Sequence, residues 1–334
     1  MDIPVHNAVT DPQKLKGGFI ANTYRVKLYY SGDVAPQYPL SVVVKVECGG
    51  DHNLTNMARQ LDLYEREYNF YAGLQPDFPL STPKSYGMLF TKDFSKREGV
   101  ILEDLGDFVM YTGSERSIIQ NCANLHAKYW GKERLLHAKL CNDNMALYPR
   151  LGTFMRSHFE AFVMRWSNHL RQEDVDLASK IADRFELIQD YLSRPPLTLC
   201  HGDVKRPNIH MDPDGMPVFV DWQHIIWGKG VQDIVFLLVE SSDADSVDSD
   251  EWKTMYMECL HASDPCTTIY TIEQLDMDWA VAMCFYPVFV CFWLGTIPDQ
   301  EHIDNTFAQR FIGRTFAHLS KVEVDQILDS LDTN

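Results

Sequence analysis

Four side chains in one short stretch could do chemistry together. Between Cys200 and Gln223, the residues His201, Asp203, Asn208 and Asp221 are spaced as H-x-D-x-x-x-x-N followed by a second aspartate. That set suits phosphoryl transfer, in which one aspartate orients or deprotonates a hydroxyl while an asparagine and a further aspartate hold magnesium. Asp203 takes the first role, and Asn208 and Asp221 take the metal-binding ones. Asp212-Pro-Asp-Gly215 is turn chemistry between the apolar runs 208–211 and 216–221, so a hairpin is expected. A four-residue loop would set Met211 against Met216 and Asn208 against Phe219, with Asp221 two positions along on the same face. Such diagonal neighbours lie about 7–8 Å apart, close enough to share one hard cation. The competing reading is a surface hairpin with scattered acids, which would suffice for any one of these residues taken alone.

These residues need elements to position them. Residues 23–30 alternate, with Tyr24, Val26, Leu28 and Tyr30 on one face, which is the pattern of a strand. Residues 41–47 form a second strand, burying Val42, Val44 and Val46 and leaving Lys45 with Val43 on the other face. A helix over 55–72 follows from Met57, Leu61, Tyr64, Tyr68 and Tyr71, with Glu67 on its apolar flank. Strands at 85–90 and 99–102 complete a small sheet. The remainder reads as helical. Ser114 is a good N-cap for 115–130, which stops at Gly131 and in which His126 reads as a packing residue. Further helices run over 151–172 and 175–192, and Pro195-Pro196 breaks the chain before the 201–223 stretch.

With 334 residues the chain is long for one core and comfortable for two domains. A hydrophobic share of 45% with 12% aromatics is globular, and the first residues lack the basic region and apolar core of a signal, so a cytoplasmic protein is expected. Eight cysteines are spread singly, with no C-x-x-C pair, and read as reduced thiols. A net charge of −17 argues against nucleic acid as a partner. The uncharged run 279–297 approaches the length of a membrane span, but Pro287 interrupts it and Asp278 and Asp299 flank it. A buried helix is the preferred reading, with no membrane span.

The H-x-D-x-x-x-x-N stretch with its following aspartate resembles the aminoglycoside phosphotransferase and choline kinase superfamily of small-molecule kinases. The E-x-x-F-Y form at 67–71 and the phrase Leu125-His-Ala-Lys-Tyr-Trp-Gly131 resemble its ecdysteroid kinase-like group most. The resemblance implies an α+β, bilobal protein-kinase-like fold, with a small antiparallel-sheet N-lobe over 1–104 and a mainly helical C-lobe over 105–334. It implies ATP and Mg2+ as cofactors. Lys45 would hold the α/β-phosphates and Glu67 would position Lys45, with Glu65 as the other candidate. Gly17 and Gly18, before the first strand, would cover phosphate or simply form a turn, and Glu103 to Leu105 would meet the adenine edge. His201 and Asp233 would brace the loop, Asp233 through a G-x-x-D phrase. Lys205 reads equally as a γ-phosphate contact or a solvated lysine, and Trp222-Gln223 replaces the Phe-Gly that lets protein kinases flip.

The stretch from Asp221 to Asp233 leaves no room for a peptide-docking activation segment closed by A-P-E. A small-molecule hydroxyl acceptor is therefore expected: a metabolite, sterol-like compound, amino alcohol or aminosugar. The acids Asp243, Asp245, Asp248, Asp250 and Glu251 would attract an amine or form a solvated loop. Phe285, Tyr286, Phe289, Phe292 and Trp293 would line a pocket or fill the core. The alternative function is a catalytically inactive, nucleotide-binding pseudokinase acting as a sensor or partner.

Overall fold

Alternating β-branched and aromatic residues make the N-terminal third a sheet. In the computed structural model, which describes residues 5–15, 20–31, 38–49, 53–73, 78–107, 109–132, 151–246, 248–296 and 305–332, five strands form it. They are β1 (Val5–Lys14), β2 (Ala21–Tyr30), β3 (Ser41–Glu47), β4 (Ser85–Phe90) and β5 (Arg97–Glu103). The sheet is antiparallel in the order β1-β2-β3-β5-β4, which puts β3 at its centre. β3 buries Val42 and, less completely, Val44 and Val46. β1 had no clear alternation to announce it and contains Pro12; an edge strand tolerates proline because one side of its ladder is unpaired.

The helix expected over 55–72 is two, α1 (Asn53–Gln60) and α2 (Leu63–Gly73). Asp62 adopts a left-handed backbone (φ 53°) that ends the first, and its carbonyl accepts the Arg66 N–H that starts the second. Packing divides the chain into one unit of Met1–Thr112 with Pro207–His224 and another of Gly113–Arg206 with Ile225–Asn334. The segment 207–224, expected with the helical lobe, thus packs with the sheet. Its hairpin joins strands Ile209–Met211 and Pro217–Phe219, and Tyr111 and Met211 donate backbone hydrogen bonds that tie it to residues 109–111.

The second unit holds, among the described residues, α3 (Glu115–Tyr129), α4 (Leu151–Trp166), α5 (Gln172–Asp183), α6 (Phe185–Leu192), α7 (Val231–Ser241), α8 (Ser249–Ser263), α9 (Ile272–Met283), α10 (Tyr286–Thr296), α11 (Asn305–Leu319) and α12 (Val324–Asp332). Ser114 caps α3 as expected, accepting from the Ser117 N–H, and Gly131 ends it with φ 63°. The expected helix 175–192 is split at Arg184 into α5 and α6. A two-stranded ribbon, Thr198–Cys200 with Ile226–Gly228, lies at either end of the 201–223 stretch.

The uncharged run is also two helices, α9 and α10, interrupted at Cys284–Phe285. The stretch Ile272–Gly295 is long and apolar enough to cross a membrane by composition, yet 78% of its most apolar window is buried inside the fold. Phe292 stacks on Phe162 of α4 with ring centres 4.8 Å apart, and Phe285 stacks on Phe185 of α6. Gly295 lies against the α4 backbone so closely that a Cβ there would come within 2.6 Å of Phe162 Cα. Replacing Gly295 with Leu should therefore lower unfolding stability by about 2 kcal/mol or more, since the helix backbones must separate. Urea unfolding of the two proteins checks this; equal midpoints would contradict the packing.

Candidate active site

In the first unit, Lys45 stands opposite Thr23 and Val100 in the central strand. Its side chain is only 12% exposed, and its ammonium lies 2.7 Å from Glu67 Oε2 and 2.6 Å from Asp221 Oδ1. An ammonium withdrawn from water is tolerated when carboxylates surround it. Burial alone would lower the Lys45 pKa, but the charges of Asp221 and Glu67 outweigh it and the pKa rises. For Glu67 on α2, burial is the larger influence and pushes the carboxyl upward against the pull of Lys45. Glu65, the other candidate, pairs instead with Arg97.

The hairpin that carries Asn208 and Asp221 is one residue out of the expected register. Ile209 rather than Asn208 faces Phe219, and Met211 faces Pro217. The Asp212 N–H bonds the Met216 carbonyl, Gly215 takes φ 80°, and the loop is the three residues 213–215. A three-residue loop with glycine in its left-handed position is a favoured hairpin, and it wins over the four-residue one. The Asn208 carbonyl accepts from Val220, so Asp221 is the next residue along. Asp221 itself adopts φ 66°, which takes it out of the strand's alternation. Trp222 anchors that bend: its indole is buried, stacks on Phe70 of α2 at 4.3 Å and donates to the Phe219 carbonyl. Gln223 donates to Asp221 Oδ2 across 3.3 Å, while its own Oε1 is buried with no hydrogen-bond partner. An amide, a carboxylate and an orphaned buried amide oxygen are the donor types a hard divalent cation takes, so this segment fits magnesium.

At the end of β5, Glu103 accepts from the Lys84 N–H, and the Leu105 backbone makes no hydrogen bond among the described residues, leaving donor and acceptor for a ligand. Asp104 braces this turn. Burial would raise its carboxyl, but donors from Ser41, Arg25 and Gly106 outweigh that and hold it below the usual carboxylate range. Asp104 carried no sequence signal beyond its place in the turn. Gly17 and Gly18 lie outside the described residues.

In the second unit, the loop 201–205 is organised by Asp233, at the start of α7 and without exposed surface. Asp233 Oδ2 accepts from the His201 N–H and Oδ1 from the Gly202 N–H, both at 2.8 Å. Gly202 takes φ 82°, which glycine adopts without strain. His201 Nδ1 accepts from the Asp203 N–H, closing the turn. Asp203 is buried, and Lys205 reaches back to Asp203 Oδ2 at 2.8 Å, so Lys205 is not a solvated loop lysine.

His126 has a larger part than packing. Its Nε2 is 3.2 Å from Asp233 Oδ2 and its Nδ1 is 3.0 Å from the Tyr256 hydroxyl. An ionised carboxylate only accepts, so Nε2 carries the proton and Nδ1 accepts from Tyr256. Burial raises the Tyr256 pKa and keeps that hydroxyl protonated. His126, Cys200 and Asp233 lie close enough together to ligate a metal, but these hydrogen bonds already use the His126 nitrogens and both Asp233 oxygens. The 125–131 phrase was the available signal for His126; Tyr256 had none.

The acidic stretch is mostly a fastening. Asp243 pairs with Arg314, Asp245 with Lys321 and Asp250 with Lys253, while Asp248 caps α8. Of the aromatic run, Phe285, Phe289 and Phe292 are core, and Tyr286 and Trp293 are half-buried.

Gly230 explains the glycine of the G-x-x-D phrase. A Cβ there would meet the Tyr256 hydroxyl and come 2.7 Å from His126 Nδ1. Gly230→Ala should therefore cost about 1–3 kcal/mol of stability and disorder the loop. Calorimetry and amide exchange at residues 201–203 check it, and unchanged protection there would refute the linkage.

Comparison with known proteins gives an independent view. Residues 146–265 match the model of the phosphotransferase enzyme family. No curated protein matches by sequence. Among solved structures, choline kinase LicA from Streptococcus pneumoniae is similar at 14% identity and TM-score 0.50, covering 95% of this chain and 94% of that one. Amicoumacin kinase hAmiN, solved with AMP-PNP, Ca2+ and Ami, is similar at 11% identity and TM-score 0.52, covering 95% of this chain and 92% of that one. Both are likenesses of fold. The matched segment contains residues 201–233, the stretch that carries His201, Asp203, Asn208, Asp221 and Asp233.

Proposed function

We propose that this protein is an ATP- and Mg2+-dependent kinase that transfers the γ-phosphate to a hydroxyl of a small molecule. The observation that carries the reading is the buried Lys45 ammonium held between Glu67 and Asp221. A fold bears the desolvation of three charges when they have work to do, and here Lys45 would bind the α/β-phosphates while Glu67 keeps it aimed. Asn208 and Asp221 would hold the magnesium ion. When bound, that ion would offset the negative charge of the nucleotide's phosphates.

Asp203 would take the proton of the acceptor hydroxyl. The acceptor oxygen then bonds to the γ-phosphorus, the bond from that phosphorus to the β,γ-bridging oxygen breaks, and ADP leaves. Lys205, paired with Asp203, would supply positive charge to the transferred group. Asp233 and His201 orient the loop and touch no substrate. The Leu105 backbone would meet the base of the nucleotide. We divide the chain functionally at 104/105, infer a cytoplasmic protein from the free thiols of the described cysteines, and group it nearest the ecdysteroid kinase-like proteins on the 67–71 and 125–131 phrases.

The test is ADP release from Mg-ATP across a panel of alcohols, amino alcohols, sterols and aminosugars, with nucleotide binding measured in the same samples. Acceptor-dependent turnover should fall by about 10²–10⁴-fold in Asp203→Ala while nucleotide binding persists, and Lys45→Met should weaken that binding. Binding without turnover on any acceptor would favour a nucleotide-binding pseudokinase. No nucleotide binding would overturn the reading.

A further inference from the structure

Gln223 is 6% exposed, two residues beyond Asp221, and one half of its amide is unused. Its Nε2 donates to Asp221 Oδ2 across 3.3 Å, and its Oε1 is buried without a hydrogen-bond partner. Natural folds rarely bury an acceptor without a donor, and an exception at a functional segment calls for a use. Packing alone would be served by an apolar side chain of the same size.

The neighbouring groups suggest that use. Lys45 engages Asp221 Oδ1, which leaves Oδ2 on the side facing Gln223. Rotation about the last torsion of glutamine exchanges Oε1 and Nε2 at little torsional cost, because that torsion is broad and nearly two-fold. The exchange replaces one unpaired buried amide atom with another. It would bring Oε1 to about 3.3 Å from Asp221 Oδ2, two acceptors that repel unless a cation lies between them. Oxygen ligands sit about 2.0–2.1 Å from Mg2+ and 2.3–2.6 Å from Ca2+, so adjacent ligands of an octahedron are roughly 2.9–3.7 Å apart. The separation already present falls within that span.

We propose that Gln223 is a further ligand of the divalent cation held by Asn208 and Asp221, its amide turning over when the ion binds so that Oε1 replaces Nε2 beside Asp221. This rests on the metal-site reading above. In the free protein the same amide holds the Asp221 carboxylate in place. The residue thus serves Asp221 in both states, as a donor to it before the ion arrives and as its fellow ligand afterwards.

The test is calorimetric titration of Mn2+ into the protein saturated with a non-hydrolysable ATP analogue, for the parent, Gln223→Leu, Gln223→Glu and Asp221→Asn. Gln223→Leu should weaken Mn2+ by about 10–100-fold, and Gln223→Glu should stay within about 3-fold of the parent. In the parent, the Gln223 side-chain amide resonance, identified by its absence from the Gln223→Glu spectrum, should shift when Mg2+ is added; this readout requires no destabilising variant. Parent-like affinity in Gln223→Leu with weakened binding in Asp221→Asn, or an unmoved resonance, would overturn the role of Gln223 alone. Parent-like affinity in Asp221→Asn would overturn the metal site and this inference with it.

Discussion

A carboxylate with no exposed surface survives in a protein interior only when every oxygen is supplied with donors, and Asp233 imposes that condition on the whole second unit. Its donors are the backbone of His201 and Gly202 and the ring of His126. The ring comes from α3, the two N–H groups from the loop and the carboxylate from α7, so these three segments are fixed to one another through a single charged group. The ring of His126 is oriented in turn by Tyr256 of α8. Gly230 is the close approach that lets the ring and the phenol reach their partners. The conformation of the loop before Asp203 is thus set by helix packing and not by the loop's own preferences.

The first unit solves the same problem for a cation. Lys45 can be withdrawn from water because Glu67 comes from α2 and Asp221 from the hairpin end, two elements that meet at the sheet. Asp221 reaches that place through a left-handed backbone, which for an aspartate costs on the order of 1–3 kcal/mol. Trp222 offsets it by burying a large ring against Phe70 and Phe78. A tryptophan held on both sides in this way fixes the aspartate before it, and the Phe-Gly pair of protein kinases has no counterpart here.

Charges elsewhere in the second unit are spent on fastening. Asp278 is buried and accepts from the Tyr191 and Tyr270 hydroxyls, with Lys229 at 3.4 Å, which joins α9 to α6 and to the segment before α7. Asp243 and Asp245 pair with Arg314 and Lys321 near the C-terminus, and Asp250 pairs with Lys253 within α8.

By itself the sequence determined whatever depends on local spacing. The strands at 23–30 and 41–47, the cap at Ser114, the stop at Gly131 and the H-x-D-x-x-x-x-N set follow from periodicity, turn chemistry and fixed intervals along the chain. So did Lys45 and Glu67 as a pair, by resemblance. Tertiary structure decided what depends on partners distant in sequence. The hairpin register followed the left-handed Gly215 and the flanking strand pairing, which moved Asn208 by one residue. The break at Asp62, the edge strand containing Pro12 and the splitting of the apolar run came from the packing each segment found. His126 and Tyr256 acquired their roles only when α3 and α8 came together around Asp233, because a buried charge is satisfied by neighbours in space, and no interval in the sequence records which neighbours those will be.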